Sequence, residues 1–228
     1  MGICDNYRLL INDIKSLVAD SGRNISDVSV LAVSKTHTVD KLIEAAKCGI
    51  RMFGESRVQE AIPKIEIVKI QYPDAEFHFI GRLQTNKAKK LVEYFSLIHS
   101  VDRDEAVEAV NFAAYSLGKV QDILIQLNLA KESQKNGVFP ENIHKLVALT
   151  STLSNVRLRG FMFIPPFNIT TEQTKQYFIT AKTIFEEYKN FENLNLDILS
   201  MGMSGDYGLA IHSGSTLIRI GTMLFGER

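Results

Sequence analysis

Eight short apolar runs, separated by stretches of helical periodicity, constrain this 228-residue chain more than any other feature. The runs fall at 29–34, 50–55, 76–81, 97–101, 122–128, 158–163, 196–200 and 216–220. Each is rich in aliphatic, β-branched or aromatic side chains, the pattern of strands buried on both faces. Between them the apolar spacing changes to three and four residues. That periodicity predicts helices at about 38–49, 58–68, 86–95, 104–117, 140–153, 171–190 and 205–211. An additional amphipathic helix at 5–21, with Tyr7, Leu9, Leu10, Ile14, Leu17 and Val18 at helical spacing and Asp5 as a cap, precedes the first strand. Pro63 lies inside one helical window and is expected to kink it.

No two runs follow one another directly, so the strands are expected to lie parallel in one sheet. Eight such units in a chain of this length fit a single closed (β/α)₈ TIM barrel spanning 1–228, with the first helix extra. An open doubly wound sheet is the competitor. It usually has fewer strands and often a glycine-rich first turn, whereas Ser34-Lys35-Thr36-His37 contains no glycine.

Charge narrows the function classes. Lys+Arg and Asp+Glu balance at 26 each, so no global field draws the chain to nucleic acid or to an anionic membrane. Any anion site must be local. Cys4 and Cys48 are too few and too unpatterned for a disulfide framework or a zinc site. The start lacks the basic and apolar regions of a secretory signal, and Asn6 stands where a myristoylation motif wants Ser or Thr. No apolar run approaches the length of a membrane span. A reduced, cytoplasmic setting is expected.

In a barrel, chemistry collects at the C-terminal ends of the strands. Those ends supply Lys35, Gly54-Glu55-Ser56, the segment from Gly81 to Lys87, Asn128, Met162 to Pro166, Met201 to Asp206, and Gly221-Thr222. Val30-Leu31-Ala32-Val33 runs straight toward Lys35. An amine that loses water there is a better nucleophile and suits Schiff-base chemistry with an aldehyde; the alternative is a lysine snorkelling from a strand end. Met203-Ser204-Gly205 and Gly221-Thr222 follow the last two strands, where barrels often place a phosphate. Each is separately readable as a turn or a helix cap. Alternation along Leu217-Ile218-Arg219-Ile220 sets Arg219 among apolar neighbours, facing either a carboxylate, a phosphate or a pyridine nitrogen. Lysine, cradle and arginine together point to pyridoxal 5'-phosphate, with an arginine that leaves the ring nitrogen unprotonated and the ring a weak electron sink. The five histidines are scattered without metal-ligand spacing, and His78 reads as a satisfied barrel histidine. Glu55 and Asp206 are either an acid/base pair or loop anchors. Lys87, Lys89 and Lys90 make a basic patch after the third strand.

Leu31-Ala32-Val33-Ser34-Lys35-Thr36, Phe53-Gly54-Glu55, His78-Phe79-Ile80-Gly81, Leu83-Gln84-Thr85-Asn86-Lys87, Ser200-Met201-Gly202-Met203-Ser204 and Arg219-Ile220-Gly221-Thr222 resemble the YggS/PROSC-type pyridoxal phosphate homeostasis proteins. The resemblance spans nearly the whole chain. It implies one barrel similar to the N-terminal domain of alanine racemase, a fold-type III arrangement without the C-terminal β domain. It implies a cofactor held on Lys35 as an internal aldimine, contacts from Ser204, Arg219, Gly221 and Thr222, and Asn86 and Met203 nearby. It further implies a role in vitamin B6 and amino-acid homeostasis without robust turnover. B6 vitamers, amino acids and apo forms of cofactor-dependent enzymes are the implied partners. Departures from the family pattern fall at Ser56, Arg57, Arg82 and Gly208.

An amino-acid racemase or lyase of slow activity is the alternative on the same cofactor. In alanine racemases the second acid/base group is a tyrosine from a further domain, which is expected to be lacking here; Tyr207 alone is expected close to the mouth. A monomer is expected for the same reason. A cofactor-free Schiff-base aldolase is the third reading.

Overall fold

Strand parity decides which side chains fill the barrel and which meet the helices around it. The computed structural model describes residues 2–189, 191 and 194–226. Among these, helix α1 (Ile3–Asp20) leads into β1 (Ser29–Val33), α2 (Val39–Lys47), β2 (Met52–Glu55), α3 (Val58–Gln71) and β3 (Glu76–Phe79). The chain continues through α4 (Ala88–Tyr94), β4 (Leu97–Val101), α5 (Asp104–Ser116), β5 (Gln121–Leu127), α6 (Ile143–Ser151) and β6 (Val156–Phe163). It finishes with α7 (Thr171–Tyr188), β7 (Ile198–Met203), α8 (Tyr207–His212), β8 (Leu217–Ile220) and α9 (Thr222–Phe225). Each strand pairs in parallel with the next. The pairing of Ser29 with Leu217 and of Ala32 with Ile220 closes β8 onto β1, making the expected eight-stranded barrel.

Residues of one parity pack outward. Phe53, Phe77, Ile98, Ile123, Phe161 and Ile218 join the helices' apolar faces in one large buried core. The other parity turns inward, where Leu97, Leu124 and Met162 form a small separate apolar cluster. Buried polar side chains share that interior: His78, His99, Ser200 and Arg219.

Three local features depart from expectation. First, β7 runs on to Met203 instead of stopping at Ser200, with a register shift against β8 between those residues. Gly202 makes this extension fit, because its φ is +95° and a Cβ there would meet the Ala210 Cβ at 2.6 Å. Second, the short helix α9 was not foreseen. The side chains of Asn6 and Lys41 donate to the carbonyls of Leu224 and Phe225 at 3.0 and 3.2 Å, satisfying its last acceptors. Third, Cys4 on α1 and Cys48 just past α2 are joined in a disulfide, which corrects the reading of them as an unremarkable reduced pair. The bond ties α1 to α2. Helix α3 runs unbroken through Pro63. The expected end of α7 at Asn190 lies outside the described residues. No helix among the described residues is long and apolar enough to cross a membrane, and none of their His, Cys, Asp and Glu side chains cluster as a metal site.

The core sets a stability test. Phe77 is 1% exposed and Phe112 72% exposed. Phe77→Ala is expected to cost about 3–5 kcal/mol in urea unfolding. Phe112→Ala is expected to stay within about 0.5 kcal/mol. Equal costs would mean the sheet's outer face does not carry the core.

Candidate functional site

The inward parity of Leu31 and Val33 carries Lys35 to the mouth of the barrel. Lys35 lies in a tight turn just beyond the end of β1, and it is half-buried, between the desolvated amine and the snorkelling lysine that the sequence leaves open. The turn is closed by the His37 N–H donating to the Ser34 carbonyl at 3.1 Å. Its other central residue, Thr36, has φ of +69°, a left-handed conformation that a β-branched residue adopts only under constraint. Below it, the Ser34 hydroxyl donates to Glu55 Oε1 at 2.7 Å and Lys64 Nζ donates to the same oxygen at 3.0 Å. Glu55 is therefore a scaffold under the turn and not a free base; its other carboxylate oxygen is buried without a partner.

Lys35 opens into a cavity of about 340 Å³ at the C-terminal ends of the strands. Met203, Ser204, Arg219, Gly221 and Thr222 line the same cavity, so six of the seven expected site residues are brought together. Asn86 is not among them. It is exposed in the turn Thr85–Lys87 after β3. Val33, Ile80, Met162 and Ile164 supply an apolar wall, and His37 stacks on Phe225 with ring centroids 4.7 Å apart. Val33, Ile80 and His37 fall outside the strand-end residues expected at the mouth, whereas Ile164 lies within the expected stretch from Met162 to Pro166. Val33 and Ile80 share the inward parity of their strands, which is the available signal.

The loops after β7 and β8 are joined where the Gly221 N–H donates to the Ser204 hydroxyl at 3.4 Å. The Met203 N–H donates to Asp206 Oδ1 at 2.6 Å, so it is withdrawn from the anion cradle expected of it. Asp206 is a loop anchor. Burial pushes its carboxyl up, opposed by that hydrogen bond and by the charge of Arg219. Gly205 also lines the cavity, and a Cβ built on it would meet no atom within 4 Å. Its φ needs no glycine, and the residue is exposed at the rim of the cavity.

Arg219 is enclosed in the barrel. Its Nη1 donates to the Ser200 carbonyl and hydroxyl, both at 2.8 Å, and Nη2 donates to the Phe163 carbonyl at 2.9 Å. Burial pushes the guanidinium down to about 10, which leaves it charged at neutral pH. Tyr207 follows the cavity-lining Ser204 and Gly205 at the start of α8, but its hydroxyl is engaged outside the cavity. Its hydroxyl donates to Asp13 Oδ2 on α1 at 2.5 Å, and burial together with that contact pushes it up to about 12. Of the departing positions, Ser56, Arg57 and Arg82 line a separate cavity, and Gly208 faces Leu17.

Residues 12–228 match the family model described as alanine racemase, N-terminal domain. The chain is 40% identical over 228 residues to the pyridoxal phosphate homeostasis protein of Aquifex aeolicus, covering all of this chain and 99% of that one. It is 34% identical to the protein of the same description from Escherichia coli, over 99% and 97% of the two chains. The structure of PipY from Synechococcus elongatus with PLP bound superposes with a TM-score of 0.83 at 38% identity, covering 93% of this chain and all of that one.

The loop anchor generates a pH test. Asp206→Ala leaves the Met203 N–H without its acceptor and is expected to cost about 1.5–3 kcal/mol, whereas Asp206→Asn keeps an acceptor and loses less. Because the carboxyl is raised in the fold, the wild type is favoured over Asp206→Asn at pH below the unfolded carboxyl's value, and that advantage is lost as pH rises through the folded value. Parallel stability curves for the two proteins would contradict the assignment.

Proposed function

The chain belongs to the pyridoxal phosphate homeostasis protein family, and from that membership we propose that its mouth cavity holds pyridoxal 5'-phosphate. The reading rests on one convergence. A primary amine, an enclosed guanidinium and two hydroxyls meet in a cavity of about 340 Å³. When bound, this cofactor supplies an aldehyde that condenses with an amine and an electron-withdrawing ring. Lys35 is the amine. Its strained turn fixes where the chain leaves β1, and the apolar wall limits water around it. Ser204 and Thr222, with the backbone N–H of Gly205, would donate to the phosphate; Gly221 would lie alongside it and Met203 would contribute to the wall. Asn86, exposed outside this cavity, is left out of the contact set.

Arg219 sets the character of the site. A guanidinium has five N–H donors. Ser200 and Phe163 take three of Arg219's, which leaves two for a ring nitrogen. Because the guanidinium keeps its proton, a nitrogen accepting from it stays unprotonated and the ring is a poor electron sink. The chain thus holds and releases the cofactor as one domain spanning 1–228, in vitamin B6 and amino-acid homeostasis, without robust turnover. The racemase or lyase alternative needs a second acid/base group across the cavity. Tyr207 is bound to Asp13 instead, and the imidazole of His37 is stacked on Phe225.

We place the protein in the cytoplasm as a monomer, exchanging cofactor with B6 vitamers, amino acids and apo enzymes. In that compartment the Cys4–Cys48 bond, between two residues near the surface, is expected to be reducible without loss of the fold.

Purified protein mixed with the cofactor is expected to gain a visible absorption band that Lys35→Ala removes. Ser204→Ala with Thr222→Ala is expected to weaken retention by about 10–100-fold, the worth of one charge-assisted hydrogen bond or more. A band that survives Lys35→Ala, or loss of chirality from L-amino acids at enzymatic rates, would refute the proposal.

A further inference from the structure

A chain of polar side chains crosses the barrel interior from Arg219 to its opposite end. Ser200 Oγ, which accepts from Arg219 at 2.8 Å, lies 3.2 Å from His99 Nδ1. His99 Nε2 lies 3.1 Å from His78 Nδ1, and His78 Nε2 lies 3.7 Å from Glu76 Oε2. His78 and Glu76 line a second cavity, about 580 Å³, at the N-terminal ends of the strands. We infer that Ser200, His99 and His78 are positioning residues for Arg219, and that the direction of their hydrogen-bond chain, set at His78 in this lower cavity, controls how firmly the guanidinium is held. The inference rests on the proposed cofactor placement only where cofactor retention is the readout.

Donor counting gives the chain its direction. Arg219 can only donate. Ser200 Oγ accepts from it and has its own hydrogen to give, and His99 Nδ1 is the acceptor in reach. His99 is enclosed. Burial first, then the charges of His78 and Arg219, push it well below its ordinary value, so the ring is neutral with a single N–H. With Nδ1 accepting, that hydrogen sits on Nε2 and is donated to His78 Nδ1. His78 then holds its own hydrogen on Nε2, facing Glu76. The chain thus runs in one direction, from a fixed cation at the mouth toward a carboxylate that His78 faces at 3.7 Å, a charge contact longer than a hydrogen bond. The contact with His78 holds the Glu76 carboxyl below its usual range.

A further proton on His78 reverses the order. It must go to Nδ1, where it meets the His99 N–H head on. His99 can accept it only as the Nδ1–H tautomer, still neutral, so the one proton gained resides on His78. Ser200 then faces an N–H where its own hydrogen had an acceptor, and its hold on Arg219 is disturbed. No proton passes to the mouth, because the guanidinium does not release one.

The charges around His78 leave this role to Glu76. From the other elements, Arg23, Asp27, Asp122, Arg159 and Asp197 also line the lower cavity. Arg159 pairs with Asp122 at 2.5 Å and with Asp197, while Arg23 donates to the carbonyls of Ile211 and Asp27.

Nitrogen-resolved NMR of the histidine rings in the cofactor-free wild type is the first test, and it needs no variant. The expected result is His99 as the Nε2–H tautomer, switching to Nδ1–H as His78 gains its proton. His99 in the Nδ1–H form at every pH would overturn the inference. Cofactor retention across the same pH range is the second test. Retention is expected to fall about fivefold as His78 protonates, the scale of one hydrogen bond. Ser200→Ala should flatten that dependence, and Ser200→Thr should restore it. His78→Gln, which cannot take the proton, should give flat retention even if Ser200→Ala fails to fold; the exposed His212→Gln should change nothing. Identical pH profiles in the wild type and His78→Gln would overturn the inference. Wild-type protein that takes up no cofactor at all would instead refute the proposed function, and the tautomer alone would then decide the chain.

Discussion

The interior of this barrel is organised by one desolvated cation. A guanidinium removed from water must be met by acceptors, or its burial would cost several kcal/mol. For Arg219 the acceptors come from two other strands: Ser200 on β7 and the Phe163 carbonyl at the end of β6. Among the described residues no carboxylate pairs with it, so its charge remains available to whatever enters the cavity above. Asp206, the carboxyl whose field it feels, is engaged with the Met203 N–H. Had a carboxylate paired with Arg219 directly, the cation would serve only the fold.

The mouth is assembled from loops that hold one another. The Ser204 hydroxyl joins the loops after β7 and β8, and His37 and Lys41 fasten the segment after β8 to the segment after β1. The extra N-terminal helix takes part through Asn6 and through Asp13, which holds Tyr207. These ties leave an amine and a guanidinium facing one cavity from elements that hold one another in place.

Much of this was legible in the residues. Continuous apolar runs between stretches of 3.6-residue periodicity identified all eight strands, because parallel strands covered on both sides read in that way. Lys35, Ser204, Arg219, Gly221 and Thr222 were legible because strand ends converge in any closed barrel. What was missed depends on contacts between distant segments. The continuation of β7 rests on the space Gly202 leaves for Ala210, and the fate of the Met203 N–H on a carboxylate three residues later. The engagement of the Tyr207 hydroxyl outside the cavity was missed because no local pattern announces Asp13. Asn86, placed near the cofactor by likeness alone, lies in an exposed turn. The Cys4–Cys48 bond joins residues 44 apart, and spacing does not foretell such a pairing.

The central claim is that Lys35 carries the cofactor. Borohydride reduction of protein loaded with pyridoxal 5'-phosphate, followed by peptide mapping, tests it most directly. The expected result is a single reduced adduct on the peptide containing Lys35. An adduct on Lys64 or Lys41 alone, or none from protein that retains the cofactor, would contradict it.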